Sequence, residues 1–77
     1  MENISIICAV YLKDYQLQLT FSDGSTKVVD LKQYLELPIF QPLLNIDVFK
    51  NFTLNSFTIQ WENGADFAPE FLFEIAK

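Results

Sequence analysis

An Asp-Gly pair between two alternating runs is the feature that most constrains how this chain can fold. From Tyr15 to Phe21, apolar side chains alternate with Gln and Thr, which is the pattern of a half-buried β-strand. Asp23-Gly24 follows within the stretch SDGS, and a second run containing Val28 comes after it. Because Asp-Gly between two such runs is the strongest short-range hairpin signal, we predict an antiparallel hairpin in which Leu19 lies beside Val28.

Three further apolar runs predict additional strands. Ile4 to Leu12 carries apolar residues on both of its faces when it is written as a strand, and this predicts a central or doubly covered strand. Val48 to Leu54 and Phe57 to Trp61 predict two more strands. The polar pair Asn55-Ser56 lies between them, so these two strands are expected to form a second hairpin.

Two short helices are predicted, one between the hairpins and one after them. Asp30 followed three residues later by Gln33 has the spacing of a capping box, and it predicts a helix that ends before Pro38. Pro69 to Ala76 predicts the last helix, with Pro69 at its first position and Glu70 near the positive end of its dipole. The elements together predict one small α+β domain over residues 1–77, with a mainly antiparallel sheet of two hairpins and two short helices.

The charge of the chain bears on its partners. Ten acidic residues and five Lys give a formal net charge of −5, and the sequence contains neither Arg nor His. Without Arg there is no bidentate fork for phosphate or guanine, so direct nucleic-acid binding is not expected and a basic protein partner is favoured. Hydrophobic residues make up 51% of only 77 residues, which favours a homo-oligomer that covers the surplus apolar surface.

Catalysis is not expected from these residue types. The absence of His removes the usual general base and the usual metal ligand. Cys8 is the only Cys and has no His to activate its thiol, while the Ser residues have no base for a catalytic triad. The composition therefore predicts a protein that is not an enzyme, with no cofactor and no metal.

The N-terminal apolar run bears on localisation. Residues 4 to 12 are too few to span a bilayer, and no basic leader or small-residue cleavage site accompanies them. A single Cys cannot form an internal disulfide and gives no sign of an oxidising compartment. We therefore predict a cytoplasmic protein with no membrane association.

The stretch IQWENGADFAPEFL is the candidate functional corner. It contains the only Trp of the chain, an Asn-Gly pair, three acidic residues and a Pro within fourteen positions. Three earlier residues, two in the hairpin turn and one at the predicted helix start, complete the set of motif and candidate interaction residues. The set is Asp23, Gly24, Asp30, Trp61, Asn63, Gly64, Asp66, Pro69 and Glu70.

The corner has a chemical and a structural interpretation. Glu62, Asp66 and Glu70 are four residues apart, and paired carboxylates can act as acid and base when their environments separate their pKa values. Carboxylates in turns and at helix starts commonly have structural uses, so we favour the structural interpretation. Asp66 is predicted to tie the turn together by bonding backbone amides. Asp66 with Trp61 remains the alternative, a ligand-binding corner.

The order of these motifs resembles a bacterial family catalogued as domain of unknown function 2442. DYQLQLTFSDG, VVDLKQYL and IQWENGADFAPEFLFE follow one another as in that family, and the last block is the most specific. The resemblance covers essentially the whole chain. One departure is Ala68, where the family usually has Ser, and this loses a helix cap worth about 1 kcal/mol.

The resemblance implies no assigned activity. Members of the family are small bacterial proteins, often encoded beside another short protein in an arrangement similar to toxin–antitoxin pairs, and some carry an added helix-turn-helix domain. The net charge, the surplus of aromatic residues and the absence of catalytic residue types favour a non-catalytic protein-interaction module. The gene arrangement in the family implies that such a module is an acidic antitoxin-like partner of a small protein encoded by a neighbouring gene. The alternatives are a subunit of a nucleic-acid-associated transcriptional regulator, and a small-ligand binder or enzyme at the Trp61–Asp66 corner.

Overall fold

The structure, a computed structural model, describes residues 4–77 and has an α+β fold, as predicted. One antiparallel sheet has the strand order β1-β2-β3, formed by β1 (Ile6–Lys13), β2 (Gln16–Phe21) and β3 (Thr26–Asp30). A second, two-stranded sheet pairs β4 (Thr53–Leu54) with β5 (Ile59–Gln60). The helical segments are two 3₁₀ helices (Lys32–Tyr34 and Pro38–Leu44), α1 (Ile46–Phe49) and α2 (Pro69–Ile75).

Strand β1 lies at the edge of its sheet, so the prediction of a central or doubly covered strand is wrong. Its pairing with β2 shifts by one residue between Ile6 and Cys8, which leaves Ile7 as a β-bulge. Before the bulge Ile6 is buried, and after it Ala9 packs toward the core while Val10 faces solvent. A change of phase along one strand therefore produced the appearance of two apolar faces.

The β2–β3 hairpin forms as predicted, but its register differs by one residue. Leu19 lies opposite Lys27 rather than Val28. The loop after Phe21 holds three residues, and the last of them, Gly24, has a φ of 90°. A turn followed by a left-handed residue makes a three-residue loop, which shifts the pairing relative to a two- or four-residue loop. Val28 consequently lies on the exposed face of the sheet.

The predicted helix after Asp30 is a single 3₁₀ turn, Lys32–Tyr34. The Asp30 Oδ1 atom accepts a hydrogen bond from the Lys32 N–H at 3.1 Å, but the residue at the N-cap position is Leu31, whose side chain cannot cap. The capping-box prediction is therefore wrong in its register. The hydrogen bond to the Asp30 carboxylate starts a turn after β3, but no α-helix begins there.

The predicted strand from Val48 to Leu54 is shortened to two residues because a helix occupies its beginning. The Asn45 Oδ1 atom accepts from the Asp47 N–H at 2.9 Å and starts α1. Phe49, on that helix, is fully buried, whereas Val48 and Leu54 are exposed. At this point in the chain, the N-cap at Asn45 favours a helix over the strand that the alternating pattern predicted.

The core lies between one face of the three-stranded sheet and the segments that follow it. Its centre is a connected set of aromatic rings in which Phe67 stacks on Phe40, with centroids 4.6 Å apart, and on Phe71 at 6.1 Å. Trp61 contacts the Phe67 ring at 6.0 Å and the Phe49 ring at 5.8 Å. The aromatic set therefore joins α1, α2 and the second 3₁₀ helix to the segment that follows β5.

Candidate functional site

The predicted corner is a tight turn between β5 and α2. The Trp61 N–H donates to the Ala65 carbonyl at 2.9 Å, and the Gly64 N–H donates to the Trp61 carbonyl at 2.9 Å. Gly64 has a φ of 89°, the left-handed conformation that the Asn-Gly pair predicted. The turn therefore has the backbone geometry expected from its sequence.

Asn63, and not Asp66, ties this turn together, so the role predicted for Asp66 is wrong. The Asn63 Oδ1 atom accepts from the Ala65 N–H at 3.1 Å. The Asp66 backbone forms a bridge to Gln60, and within residues 4–77 its carboxylate accepts no hydrogen bond and forms no salt bridge. The Asn63 side chain accepts from the amide that Asp66 was expected to bond, and Asp66 is exposed to solvent.

The amide nitrogen of the Asn63 side chain connects the corner to the 3₁₀ helix Pro38–Leu44. Its Nδ2 atom donates to the Ile39 carbonyl at 3.0 Å. In a 3₁₀ helix that carbonyl would accept from the N–H three residues later, but this residue is Pro42, which has no N–H. The Asn63 side chain therefore supplies the donor that the proline cannot.

Trp61 belongs to the core rather than to an open site. Only 2% of its surface is exposed, and its Nε1–H donates to the Phe49 carbonyl at 2.7 Å. A buried indole whose only donor is already used has no polar group left for a ligand. Trp61 and Asp66 therefore do not form one ligand-binding corner, because they do not line the same cavity.

Two residues organise the segment before the corner, and sequence reasoning identified Asn55 as a turn residue but missed Thr58. Thr58 is 1% exposed, and its Oγ1–H donates to the Phe67 carbonyl at 2.7 Å. The Asn55 Oδ1 atom accepts from the N–H groups of Phe57 and Thr58 at 2.9 and 2.8 Å. The Asn-Ser pair signals this turn in the sequence, but the burial of a threonine has no such local signal.

An open cleft of about 580 Å³ lies beside the start of α2. Three predicted residues line it, namely Asp66, Pro69 and Glu70. Phe57 also lines the cleft and is 55% exposed, although it belongs to a stretch predicted as a strand with a buried face. The cleft thus brings exposed carboxylates next to an exposed aromatic ring. Its remaining lining residues are Ile4, Ser5, Thr58, Phe67 and Ala68.

The other predicted residues lie away from this cleft. Trp61, Asn63 and Gly64 border smaller cavities around the turn. Asp30 starts the first 3₁₀ turn, and Asp23-Gly24 forms the hairpin loop. The structure therefore assembles only the C-terminal part of the predicted set around one cavity.

Asp23 has a structural partner in its own loop. Its Oδ1 atom accepts from the Ser25 Oγ–H at 2.6 Å and from the Ser25 N–H at 2.9 Å. The side-chain bond and then the backbone bond lower the pKa of the Asp23 carboxyl, because both stabilise its ionised form. The exposed loop position and these two bonds indicate a turn residue.

Metal binding and membrane insertion each require features that can be sought in residues 4–77. Within that range, no three side chains of the Cys, Asp and Glu type converge as a metal-ion site would require. Nor does any helix in the described range have the length and apolar content needed to cross a bilayer.

One solved structure has a closely similar fold. It is the crystal structure of the "Putative DNA Binding Protein NE0471" from Nitrosomonas europaea ATCC 19718. It is 21% identical to this chain, with a TM-score of 0.81, and the match covers 100% of this chain and 53% of that one. The chain thus spans about half the length of the structure that it matches. Among curated proteins, none matches the chain in sequence.

This similarity corrects the partners expected from charge. The expectation that direct nucleic-acid binding can be set aside is wrong, because a protein with this fold is described as DNA-binding. The net charge of −5 is a total over the chain, whereas contact with DNA depends on where positive groups lie on the protein surface. The basic partner and the homo-oligomer were inferred from the same whole-chain totals, and we do not retain them.

The family of the chain follows from a match over nearly all of its residues. The hairpin loop at Asp23-Gly24 and the corner from Trp61 to Glu70 both fall within the family match. The family model described as "Protein of unknown function (DUF2442)" matches residues 6–77. The match extends over nearly the whole sequence, and the chain therefore belongs to this family.

Proposed function

We propose that this chain is a non-catalytic interaction domain of a DNA-associated regulator. The observation that carries the proposal is the match of the whole chain to 53% of the Nitrosomonas europaea protein at a TM-score of 0.81. A protein described as DNA-binding contains this fold over about half of its length. Because one fold can host many functions, the decisive experiment must measure association with DNA itself.

The contacts in the corner support a non-catalytic role. The side chains of Trp61, Asn63 and Thr58 make hydrogen bonds that hold the turn, the 3₁₀ helix and α1 together. A catalytic group would need a free polar atom beside a second group that shifts its pKa. In this corner the polar atoms of those three residues are used for folding.

The open face of the three-stranded sheet supports an interaction role. Val10 pairs with Gln18, and Gln18 pairs with Val28, so the two valines lie in one row across the sheet. Val10 is 47% exposed and Val28 is 38% exposed. Apolar side chains that share an exposed face often mark the contact surface of a protein. We assign this row, called here the valine row, to the protein contacts of the regulator.

The antitoxin-like accessory role implied by gene arrangement in the family has no support from the contacts or from the similar structure. The fold-level comparison instead favours the second of the sequence hypotheses, the regulator subunit. The experiment therefore tests only the role of a regulator subunit.

The test is chromatin immunoprecipitation followed by sequencing, with the tagged chain expressed at its natural level in its own host. We expect enrichment at discrete loci, with an untagged strain as the control. Even coverage of the genome equal to that of the untagged strain would contradict the proposal.

A second measurement separates direct from indirect association. The purified chain is titrated against an enriched fragment by fluorescence anisotropy at several salt concentrations. Direct binding gives a linear fall of log K with log salt, because each phosphate contact releases counterions. If the isolated chain does not bind, association at the loci runs through protein contacts, and Val10→Thr with Val28→Thr should lower locus occupancy. Val48→Thr is the matched control, because it changes an exposed valine on α1.

A further inference from the structure

The cleft beside α2 has the size and the lining of a small-molecule site. Its volume of about 580 Å³ lies within the range of roughly 300–1,000 Å³ that is usual for such sites. Apolar groups of Ile4, Phe57, Phe67 and Pro69 form part of its wall. The wall therefore suits a ligand with an apolar body.

The aromatic ring of Phe57 is exposed at the cleft and accessible to a ligand. Phe57 is 55% exposed, whereas the neighbouring Thr58 and Ile59 are buried. The Asn55 side chain accepts from the Phe57 N–H, and the Phe57 carbonyl accepts from the Ile6 N–H at 2.9 Å. Backbone bonds on both sides therefore hold this residue at the edge of the cleft, with its ring outside the core.

The polar groups of the cleft indicate which charge on a ligand the cleft would favour. The backbone carbonyls of Phe57, Phe67 and Ala68 already accept hydrogen bonds from Ile6, Thr58 and Leu72. Within residues 4–77, neither carboxylate of the cleft, Asp66 or Glu70, takes part in a hydrogen bond or a salt bridge, and no Lys lines it.

We infer that this cleft binds a small organic cation, an ammonium or guanidinium group carried on an apolar body. The carboxylates of Asp66 and Glu70, which have no partner among residues 4–77, accept charge-assisted hydrogen bonds from the cation. The exposed Phe57 ring attracts the same charge through its π-face and packs against the apolar body. A neutral ligand lacks the Coulomb attraction to the carboxylates, and an anion is repelled by both of them.

The ligand site does not depend on the proposed association with DNA. All of the groups that it uses lie within residues 4–77, and the experiment needs only the purified chain. A failure of one proposal can therefore be distinguished from a failure of the other.

The test is a two-dimensional ¹H–¹⁵N NMR titration of the full chain with 2-phenylethylamine. The matched probes are 2-phenylethanol, which is neutral, and 3-phenylpropionate, which is an anion. We expect saturable shifts confined to the amides that border the cleft, with the amine bound at least threefold more tightly than the alcohol, and weaker binding of the amine at high salt.

Three variants locate the binding groups. Asp66→Asn and Glu70→Gln should each weaken binding of the amine by about two- to fivefold, since each removes one partly hydrated carboxylate. Phe57→Ala removes an exposed ring and should weaken it while the spectrum remains that of a folded protein. Glu74→Gln is the matched control, because it removes the same charge from α2 outside the cleft and should leave the affinity within twofold.

Several results would overturn the inference. They are equal affinity for the alcohol and the amine, an equal loss in Glu74→Gln and Glu70→Gln, shifts spread over the other acidic surfaces, and no saturable shift up to the solubility limit of the amine. Each of these results would show that the cleft does not select a cation.

Discussion

At the scale of single residues, the corner shows how one side chain can complete two backbone structures. Asn63 accepts from the Ala65 N–H and donates to the Ile39 carbonyl, so it closes the β5–α2 turn and completes a helix interrupted by Pro42. Neither aspartate nor alanine can do both, because one lacks a donor and the other lacks any polar atom. The residue is exposed, yet its role is structural.

Replacing Asn63 by Ala should therefore destabilise the chain by about 1–3 kcal/mol, the worth of two hydrogen bonds of about 0.5–1.5 kcal/mol each. The free energy of unfolding is measured by urea denaturation. Asn51→Ala is the matched control, since within residues 4–77 the exposed Asn51 side chain makes no hydrogen bond. It should change the free energy by less than about 0.5 kcal/mol. Equal losses in both variants would show that the Asn63 bonds contribute nothing specific.

A second prediction at the scale of single residues concerns the pKa of Asp23. Hydrogen bonds from the Ser25 hydroxyl and N–H lower the pKa of its carboxyl in the folded state. Stability from this group is therefore fully present above the ordinary pKa of Asp and is lost as the pH falls through the lower folded-state value. Ser25→Ala should raise the Asp23 pKa toward its ordinary value, as measured by carboxyl ¹³C NMR, and Ser56→Ala should leave it unchanged.

At the scale of elements, α2 is a short helix that begins without a side-chain cap. Its N-cap residue is Ala68, with φ −61° and ψ 135°, which is the extended conformation that a capping residue adopts. Pro69 occupies the first helical position and Glu70 lies in the first turn. Seven residues do not hold a helix in water alone, so the docking of Leu72 in the core stabilises it.

The missing cap makes Ala68→Thr a stabilising change. A threonine at this position can accept a hydrogen bond from a free N–H of the first turn, and we expect a gain of about 0.5–1 kcal/mol in the free energy of unfolding. Ala68→Val is the isosteric control, because it has the same shape without the acceptor oxygen. The difference between the two variants, measured by thermal and urea unfolding, isolates the cap. No difference would mean that the N-terminal amides of α2 are satisfied without it.

At the scale of the whole molecule, the aromatic set connects elements that are far apart in sequence. Phe67 lies at its centre and contacts Phe40, Phe71 and Trp61. Phe67 is 7% exposed, so most of its ring contributes to the core. One residue therefore holds together the second 3₁₀ helix, the corner and α2.

Phe67→Ala should cost about 3–5 kcal/mol, the usual loss for removing a large core ring. A chain of this size has a total stability of roughly 4–12 kcal/mol, so the variant should lose about a quarter of its stability or more and melt at a clearly lower temperature. Phe57→Ala is the matched control and should remain folded, because its ring is 55% exposed. Circular dichroism melts distinguish the two. Similar melting temperatures would contradict the central position of Phe67.

Part of this architecture could be predicted from local sequence. The Asp-Gly pair marked the β2–β3 hairpin, and Pro69 marked the beginning of α2. Turns and caps depend on residues a few positions apart, so their signals are visible in the chain. The strand from Val48 was mispredicted because the competing cap at Asn45 was not recognised, although its signal was also local.

The sequence by itself determined the α+β class, the family, the hairpins and the composition of the corner. Only the tertiary structure decided that β1 is a bulged edge strand, that Asn63 rather than Asp66 holds the corner, and that Trp61 and Asp66 occupy different surroundings. The Asn63–Ile39 bond spans 24 positions, and the cleft joins Ile4 to Glu70. Such contacts depend on how the whole chain packs, and the periodicity of a short segment carries no information about them.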